Sequence, residues 1–284
     1  MTQKKEETRE TKTLWAKIGL LDYRIIYTVI AALVVIPLVY PLGTPMKVGQ
    51  NVKDYADTIR NLRPGAVVLC SYSGYATMLP DVEPIYIATF KMFLSRDIKF
   101  ICVLIHPDSP SILKMEFEKL NPAQYGKVYG KDFMFFPYFE MTEAAEIAFT
   151  ANIRSIFTTD YNGWSLDDAT KLPIMQNIKS AKDFDLRISS SPEYDVRRYL
   201  IPYGVKLICW GTGTNLLPFV PPFYPNQVLG YVGGASQGGE LEAYTGYFGD
   251  GVRYNDAKNL AIVGLLIFVI IANISYFGDK FAKR

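Results

Sequence analysis

The single histidine of the chain, His106, and its polar neighbours are the residues best suited to acid–base chemistry. Histidine is the side chain whose ordinary pKa lies closest to neutral pH, so a hydrolase would use it to activate a hydroxyl. Carboxylates near strand ends offer a second source of acid–base chemistry. The catalytic candidates are His106, Asp108, Asp160 and Ser71. The stretch SYSGY at residues 71–75 resembles the G-x-S-x-G elbow of serine hydrolases only superficially, and a structural role for the histidine is the competing interpretation.

Several loops that follow predicted strands are rich in hydroxyl groups and glycine. Such residues allow backbone amides and side-chain oxygens to approach a polar or anionic ligand. The same residue types also form ordinary turns and helix caps, and this is the competing interpretation. The predicted ligand-binding residues are Ser73, Ser109, Ser190, Gly211, Thr212, Gly213 and Thr214.

The sequence lacks the motifs of nucleotide, metal and nucleic-acid sites. The stretch GTGTNL does not have the spacing of G-x-G-x-x-G, and no GxxxxGK[ST] occurs. One histidine and three cysteines without CxxC or HxxxH spacing do not predict a zinc site. A net charge of +2 is too balanced for a basic nucleic-acid surface. We predict no cofactor, no metal and no nucleic-acid partner.

Two segments are unusual enough to suggest a protein interface. Residues 216–225 (LLPFVPPFYP) combine proline and aromatic side chains, which predicts a partner contact, a lid or a cover for the domain itself. Glycines recur over residues 230–239, where they favour close backbone approach to a neighbouring subunit, to the sheet or to a ligand. We expect self-association through this glycine segment. The predicted partner-contact residues are Phe219, Phe223, Tyr224, Gly230, Gly234 and Gly238.

Apolar runs alternate with helical periodicity through the middle of the chain, and unbroken apolar runs are typical of strands buried on both faces of a parallel sheet. The predicted strands are residues 66–71, 99–105, 132–136, 184–189 and 205–210. The predicted helices are residues 51–62, 83–95, 111–120, 142–152, 191–200 and 226–247. This alternation predicts a single α/β domain, a Rossmann-like or flavodoxin-like three-layer sandwich with about five mostly parallel strands. Residues 153–182 leave open one additional short strand.

The three cysteines, Cys70, Cys102 and Cys209, each fall within a predicted buried strand. Free cysteine packs there as a small apolar residue. Side chains on neighbouring parallel strands rarely reach disulfide geometry, so we expect three free thiols.

Residues 25–42 and 260–277 are uncharged apolar stretches. Each is close to the roughly 20 residues that cross a bilayer as a helix, and we predict two transmembrane helices. A cleaved signal peptide is the alternative for the first stretch, but no A-x-A-like site follows it. The predicted organisation is a tail at 1–24, a span at 25–42, a domain at 43–258, a span at 260–277 and a tail at 278–284. The end of the first tail is predicted to form either an interfacial helix or an extension of the first span.

Charge around these stretches predicts their orientation. Lysine and arginine occur in both tails, and positively charged flanks are retained in the cytoplasm. We therefore expect both termini in the cytoplasm and the intervening domain on the outer side of a cell membrane.

Together these features predict a two-pass membrane-anchored protein. Its extracytoplasmic domain is expected to bind a ligand or a protein partner as an accessory subunit or homo-oligomer, in contact with membrane lipid. The alternative is a membrane-tethered hydrolase or transferase that uses polar residues at the strand ends. A purely structural component of a membrane complex is the third hypothesis.

Overall fold

The computed structural model describes residues 22–140 and 142–282. Residues 45–252 form one compact unit, the α/β domain, and residues 22–44 with 253–282 belong to a second, helical unit. The predicted interfacial helix before residue 22 and the last residues of the C-terminal tail lie outside the described residues.

The elements follow one another in the alternating pattern that the sequence predicts. The helices are α1 Tyr23–Val39, α2 Gln50–Arg60, α3 Leu79–Leu94, α4 Ser109–Leu120, α5 Glu143–Ala151, α6 Pro192–Asp195, α7 Ile201–Tyr203, α8 Gly213–Leu216, α9 Gly234–Thr245 and α10 Gly251–Ala282. The strands are β1 Ala66–Tyr72, β2 Ile98–Leu104, β3 Phe133–Tyr138, β4 Leu186–Ser189, β5 Lys206–Gly211 and β6 Tyr231–Gly233. A π-helical segment, Val196–Leu200, joins α6 to α7.

The six strands form one parallel sheet in the order β3-β2-β1-β4-β5-β6. The chain builds outward from β1 to β3 and then crosses back to place β4 on the other side of β1. This is the strand order of a doubly wound, Rossmann-like sheet, and it creates a crevice at the carboxyl ends of β1 and β4. The predicted α/β class is confirmed.

The prediction of about five strands was one short, because residues 226–247 do not form a single helix. Tyr231–Gly233 pairs in parallel with β5, and α9 begins only at Gly234, whose φ of 76° suits glycine. A Cβ on Gly230 would lie 2.2 Å from the backbone nitrogen of Tyr55. Gly230, one of the glycines that looked like interruptions of a helix, therefore permits close packing of the chain on α2.

Side chains of β1 alternate between the two faces of the sheet, and both faces are covered. Val68, Cys70 and Tyr72 pack in one apolar cluster beneath α2, α3 and α4. Leu69 packs in a second cluster on the opposite face, with Phe149 of α5 and residues from the long connection before β4. Burial on both faces explains why the sequence of the strand is an unbroken apolar run. Each large buried side chain contributes about 1.5–3 kcal/mol to the stability of the fold.

The three cysteines are buried and free, as predicted. Cys70 and Cys102 are directly aligned on neighbouring strands β1 and β2, and Cys209 lies on β5. In the least regular stretch, residues 153–182, the described chain forms 3₁₀ turns and one isolated bridge between Thr159 and Ser165 rather than a further strand.

In the helical unit, α10 is long and apolar enough to cross a membrane by length and composition. The N-terminal helix α1 has 17 residues and is shorter than such a span. The helix ends three residues before the end of the predicted span at 25–42, because Tyr40 is extended and precedes Pro41. A residue before proline is disfavoured in the helical region, so the helix ends at Val39.

Two contacts hold the helical unit together. A Cβ on Gly264 of α10 would lie 2.4 Å from Leu33 Cδ1 of α1, so the small residue allows the two helices to approach closely. The carboxylate of Asp256 accepts hydrogen bonds from the backbone amides of Leu42 at 2.8 Å, Gly43 at 2.9 Å and Thr44 at 2.9 Å. These bonds fasten the chain that leaves α1 to the first part of α10.

One buried carboxyl stands out in the α/β domain. Glu116 of α4 is fully buried, and its polar neighbours include the hydroxyl groups of Tyr72 and Tyr86, with the charged Glu83 and Lys119 near enough to act on it electrostatically. Neither carboxyl oxygen makes a hydrogen bond of ordinary geometry. Burial raises the pKa of Glu116 to about 8, because the charged form loses its hydration.

We predict that Glu116 makes the domain less stable as the pH rises. The folded protein holds this proton more tightly than the unfolded chain, so its contribution is fully present below the ordinary carboxyl pKa and is lost as the pH rises through about 8. The slope is at most about 1.4 kcal/mol per pH unit. In Glu116→Gln the part of the slope between about pH 5 and 8 that Glu116 contributes should disappear, measured by denaturant unfolding of the full chain in detergent.

The matched control is Glu118→Gln, since Glu118 is exposed on the same helix. This variant should keep the wild-type pH dependence. Parallel curves for wild type and Glu116→Gln would show that the buried carboxyl does not titrate in this range.

Candidate functional site

A polar pocket opens where the strand order reverses, at the carboxyl ends of β1 and β4. Its volume is about 480 Å³, which is within the usual range for small-molecule sites. Ser71 of β1 and Arg187 and Ser189 of β4 contribute to its wall, and Ser190 and Ser191 follow in the next loop. We call it the arginine pocket.

The position of Arg187 follows from the register of the sheet. It lies opposite Leu69 of β1, so its side chain is on the face of the sheet that α5 covers. The residues on either side of it, Leu186 and Ile188, pack in the opposite cluster. The guanidinium is almost fully buried, with a residue exposure of 1%. A charge buried this deeply is tolerated only when it is paired and hydrogen-bonded.

Three side chains partner the guanidinium of Arg187. Its Nε donates to Asp195 Oδ2 at 3.0 Å, and its Nη2 donates to the hydroxyl of Ser71. The ring of Tyr199 lies 4.7 Å from the guanidinium carbon. Burial alone would lower the pKa of Arg187. The nearby carboxylate of Asp195 has the larger opposite effect, so the pKa lies above its ordinary value and the guanidinium stays charged.

One donor of this guanidinium has no acceptor. The Nη1 atom is buried and makes no hydrogen bond to any described residue. Leaving a buried charged donor unpaired costs about 1–3 kcal/mol or more. Because the atom is screened from solvent, a ligand in the pocket would reach it only if the surrounding side chains shifted.

The helical segment after β4 supplies the partners of Arg187. Proline at the first position of α6 suits a helix start, and Asp195 ends α6. Tyr199 lies four residues further along, inside the π-helical segment, so both side chains reach the same face. Short π-helical segments within helices are frequent at functional sites.

A second arginine also lines the pocket. Arg198 forms an ion pair with the buried Glu146 of α5 and lies 3.6 Å from the exposed Glu143. Its guanidinium carbon is 5.0 Å from the ring centre of Tyr194. These contacts join α5 to the helical segment after β4, across the opening.

The pocket is therefore rich in charge and close to neutral. Two arginines, Arg187 and Arg198, face three carboxylates, Asp195, Glu143 and Glu146. Asp195 forms an ion pair with Arg187, and Glu146 forms one with Arg198. The Glu143 side chain, in contrast, is 78% exposed. Such a site suits a ligand that carries hydrogen-bond acceptors and donors together.

A second recess of about 470 Å³ adjoins the arginine pocket, and we call it the aromatic pocket. The two share Ile105, Ser190, Ser191 and Tyr194 as a common wall. The aromatic pocket is further lined by Met78, Tyr86 and Phe219, with Thr212 and Ser73 among its polar groups.

Some of the predicted ligand-binding residues line the two pockets, and the others make hydrogen bonds within the domain. Ser190 lies in both pockets, and Ser73, Gly211 and Thr212 line the aromatic pocket. Ser109 is buried and donates to the carbonyl of Gly74 at 3.1 Å. Gly213 donates its backbone amide to Asp81 at 3.0 Å, and the Thr214 hydroxyl lies 3.3 Å from that of Thr212.

The four catalytic candidates make separate contacts. Ser71 lies in the arginine pocket and is engaged by Arg187. His106 stacks on Tyr75 with ring centres 4.5 Å apart, and its Nδ1 is 3.9 Å from Asp108. Neither of this pair lines the arginine pocket.

Asp160 has a different role, at a turn beside β3. It is buried and accepts hydrogen bonds from the Tyr129 hydroxyl at 2.8 Å and from the Trp164 amide at 2.7 Å. These bonds close the turn of residues 160–164 against the sheet edge.

The predicted partner-contact residues are mostly engaged within the domain. Tyr224 donates to Asp54, and Phe223 packs against the cluster that includes Val220. A Cβ on Gly238 would lie 2.8 Å from Pro84 of α3. Phe219 remains exposed, at 60%.

The other two glycines, Gly230 and Gly234, are also buried in the domain. Close packing on α2 and α3 gives the glycine segment an intramolecular role. Self-association through it stays a prediction.

Sequence reasoning missed the charged residues of the pocket: Arg187, Asp195, Arg198, Glu143 and Glu146. A signal was present, because Arg187 lies between two apolar residues, Leu186 and Ile188, of the predicted strand FDLRIS. An arginine at a buried strand position implies a buried partner. Its partner lies eight residues away on a different element, and nothing in the sequence marks that pairing.

Comparison of the chain with protein-family models, with curated proteins and with solved structures finds no match. Among residues 22–140 and 142–282, no group of three or more histidine, cysteine, aspartate or glutamate side chains could hold a metal ion.

We predict that breaking the Arg187–Asp195 pair destabilises the domain strongly. Asp195→Asn removes the charge that compensates a buried guanidinium, and such losses cost about 3–5 kcal/mol. The measurement is denaturant unfolding of the full chain in detergent at neutral pH. The matched control is Glu193→Gln, because Glu193 is an exposed residue of the same helical segment that pairs with the exposed Arg197, and its loss should change stability by about 0.5 kcal/mol or less. Equal effects of the two substitutions would contradict the assigned role of the buried pair.

Proposed function

We propose that this chain is a membrane-anchored binding protein whose α/β domain holds a small polar ligand in the arginine pocket. Ligands of open α/β sheets bind at the carboxyl ends of the strands, beside the point where strand order reverses. The pocket between β1 and β4 has that location and a suitable volume. Its hydroxyl and charged side chains supply the polar contacts that orient a ligand.

The observation that carries this proposal is the unpaired donor of Arg187. Its guanidinium is fixed by Asp195, Ser71 and Tyr199, so its orientation is set before any ligand arrives. The remaining donor, Nη1, has no acceptor. An acceptor on a ligand would satisfy it, and hydrogen bonds to charged groups contribute about 1.5–3 kcal/mol. A preorganised donor also lowers the entropy lost on binding.

We further propose that α1 and α10 form an antiparallel pair that crosses the membrane twice. Support comes from the close approach at Gly264 and from the hydrogen bonds to Asp256, which would keep the two helices together. Many of their apolar side chains are exposed, as expected for surfaces that face lipid.

The proposed orientation places both termini in the cytoplasm and the α/β domain outside. It is supported by the lysines and arginines of the two tails, since positive flanks remain in the cytoplasm. A binding domain on the outer side would meet ligands from the surroundings of the cell. An accessory subunit of a membrane complex or a homo-oligomer is the assembly in which we expect it to act.

The binding site is tested with Arg187→Lys. Lysine keeps the positive charge beside Asp195 but lacks the planar fork of donors, so ligand affinity should fall by about ten-fold or more. The screen is a library of small polar metabolites against the purified full chain in detergent, read out by thermal shift and then calorimetry. Folding is checked through the tryptophan fluorescence of the chain, to which Trp210 contributes from the core, where its indole donates to the Ser71 carbonyl at 2.8 Å.

The matched control is Arg197→Lys, since the Arg197 side chain is 72% exposed outside the pocket. This variant should bind as the wild type does. A folded Arg187→Lys protein with undiminished affinity would place the ligand elsewhere.

The topology is tested by protease added to intact cells that express the chain with a tag at each terminus. We expect the α/β domain to be cut while both tags remain protected. In permeabilised cells, the control, the tags should be digested as well. Loss of a tag from intact cells, with the domain left uncut, would reverse the proposed orientation.

A further inference from the structure

The arginine pocket and the aromatic pocket form one cleft with two chemically different halves. They share the wall made by Ile105, Ser190, Ser191 and Tyr194. A single ligand that extends past this wall contacts both halves. The chemistry of each half therefore restricts a different part of the same molecule.

The arginine pocket restricts the charge of the ligand. A simple anion would satisfy Arg187 but would also approach Asp195, Glu143 and Glu146, which outnumber the two arginines. A simple cation would leave the Nη1 donor of Arg187 unpaired. A molecule that carries an anionic and a cationic group side by side avoids both penalties.

The two charges of such a ligand have distinct places. Arg187 is buried in the floor, so the anionic group would lie deepest, near the Ser71 and Ser189 hydroxyls. Glu143 is exposed at the mouth and only loosely paired with Arg198, so its carboxylate is available to a cationic group.

The aromatic pocket restricts the remainder of the ligand. Its lining includes Met78, which is 8% exposed, and the fully buried ring of Tyr86. Phe219 extends the apolar surface, and 60% of this residue is exposed to solvent. Met78 and the ring of Phe219 can pack against an apolar or aromatic group, and the polar lining residues Glu193 and Asn215 lie beside them.

We infer that the ligand is a zwitterion with an aromatic side group, chemically an α-amino acid such as phenylalanine. Its carboxylate meets Arg187, its ammonium group meets Glu143, and its ring occupies the aromatic pocket. This inference rests on the proposed function, because it names the ligand class of the same cleft.

The test measures binding of four probes to the full-length protein in detergent by calorimetry. L-phenylalanine carries all three groups, whereas 3-phenylpropionate lacks the ammonium, 2-phenylethylamine lacks the carboxylate and glycine lacks the ring. We expect L-phenylalanine to bind most tightly and each other probe to bind roughly ten- to hundred-fold more weakly.

Two substitutions at exposed positions assign the groups without disturbing the core. Glu143→Gln should bring the affinity for L-phenylalanine close to that for 3-phenylpropionate, and Phe219→Ala should weaken L-phenylalanine while leaving glycine unchanged. The controls are Glu118→Gln and Phe248→Ala, which are exposed residues outside the cleft. They should behave as the wild type.

Binding of 3-phenylpropionate as tight as that of L-phenylalanine, or no binding of L-phenylalanine at millimolar concentration, would overturn the ligand class. The proposed function would survive that result if another compound from the metabolite screen bound in a manner that depends on Arg187. If no compound depends on Arg187, the ligand class and the proposed function both fail.

Discussion

The site depends on one interaction, the buried ion pair between Arg187 of β4 and Asp195 of the following helical segment. A guanidinium inside a sheet is unfavourable unless its charge is compensated, and Asp195, which is also almost fully buried, compensates it at 3.0 Å. The pair fixes the helical segment against the strand. It also sets the direction of the guanidinium, so that the donor left without an acceptor belongs to a rigid group.

The sheet topology determines where this pair lies. Because β4 returns to the opposite side of β1, the connections on the two sides diverge and leave a crevice at the carboxyl ends of these strands. Packing on both faces keeps β4 in register, with Arg187 opposite Leu69. The arginine is held on one face, beside the Ser71 hydroxyl, while its neighbours Leu186 and Ile188 bury on the other.

The sequence is enough to predict most elements and the edge of the sheet where a ligand would bind. Apolar runs identify β1, β2 and β5 to within one or two residues, because strands buried on both faces have few polar positions. The strand β6 was not predicted, since three residues beside several glycines carry no periodicity of their own. It forms because its backbone pairs with β5 and because Gly230, which has no side chain, fits closely against α2.

The candidate site was predictable only in part, for a similar reason. Hydroxyl-rich loops pointed to Ser71 and Ser190, and both lie in the cleft. The pairing of Arg187 with Asp195 arises from tertiary packing, so single residues in the sequence do not reveal it. His106 illustrates the opposite error: it is rare and chemically suggestive, yet it stacks on Tyr75 outside the arginine pocket.

The most direct test of the central claim is the side-chain NMR signal of Arg187 in the full chain, labelled with ¹⁵N at arginine and titrated with a compound that binds. The Arg187→Lys protein assigns the signal by its absence. We expect the Nη resonances of Arg187 to shift in proportion to ligand occupancy, because Nη1 gains its missing acceptor. Saturating binding that leaves these resonances unchanged would contradict the account.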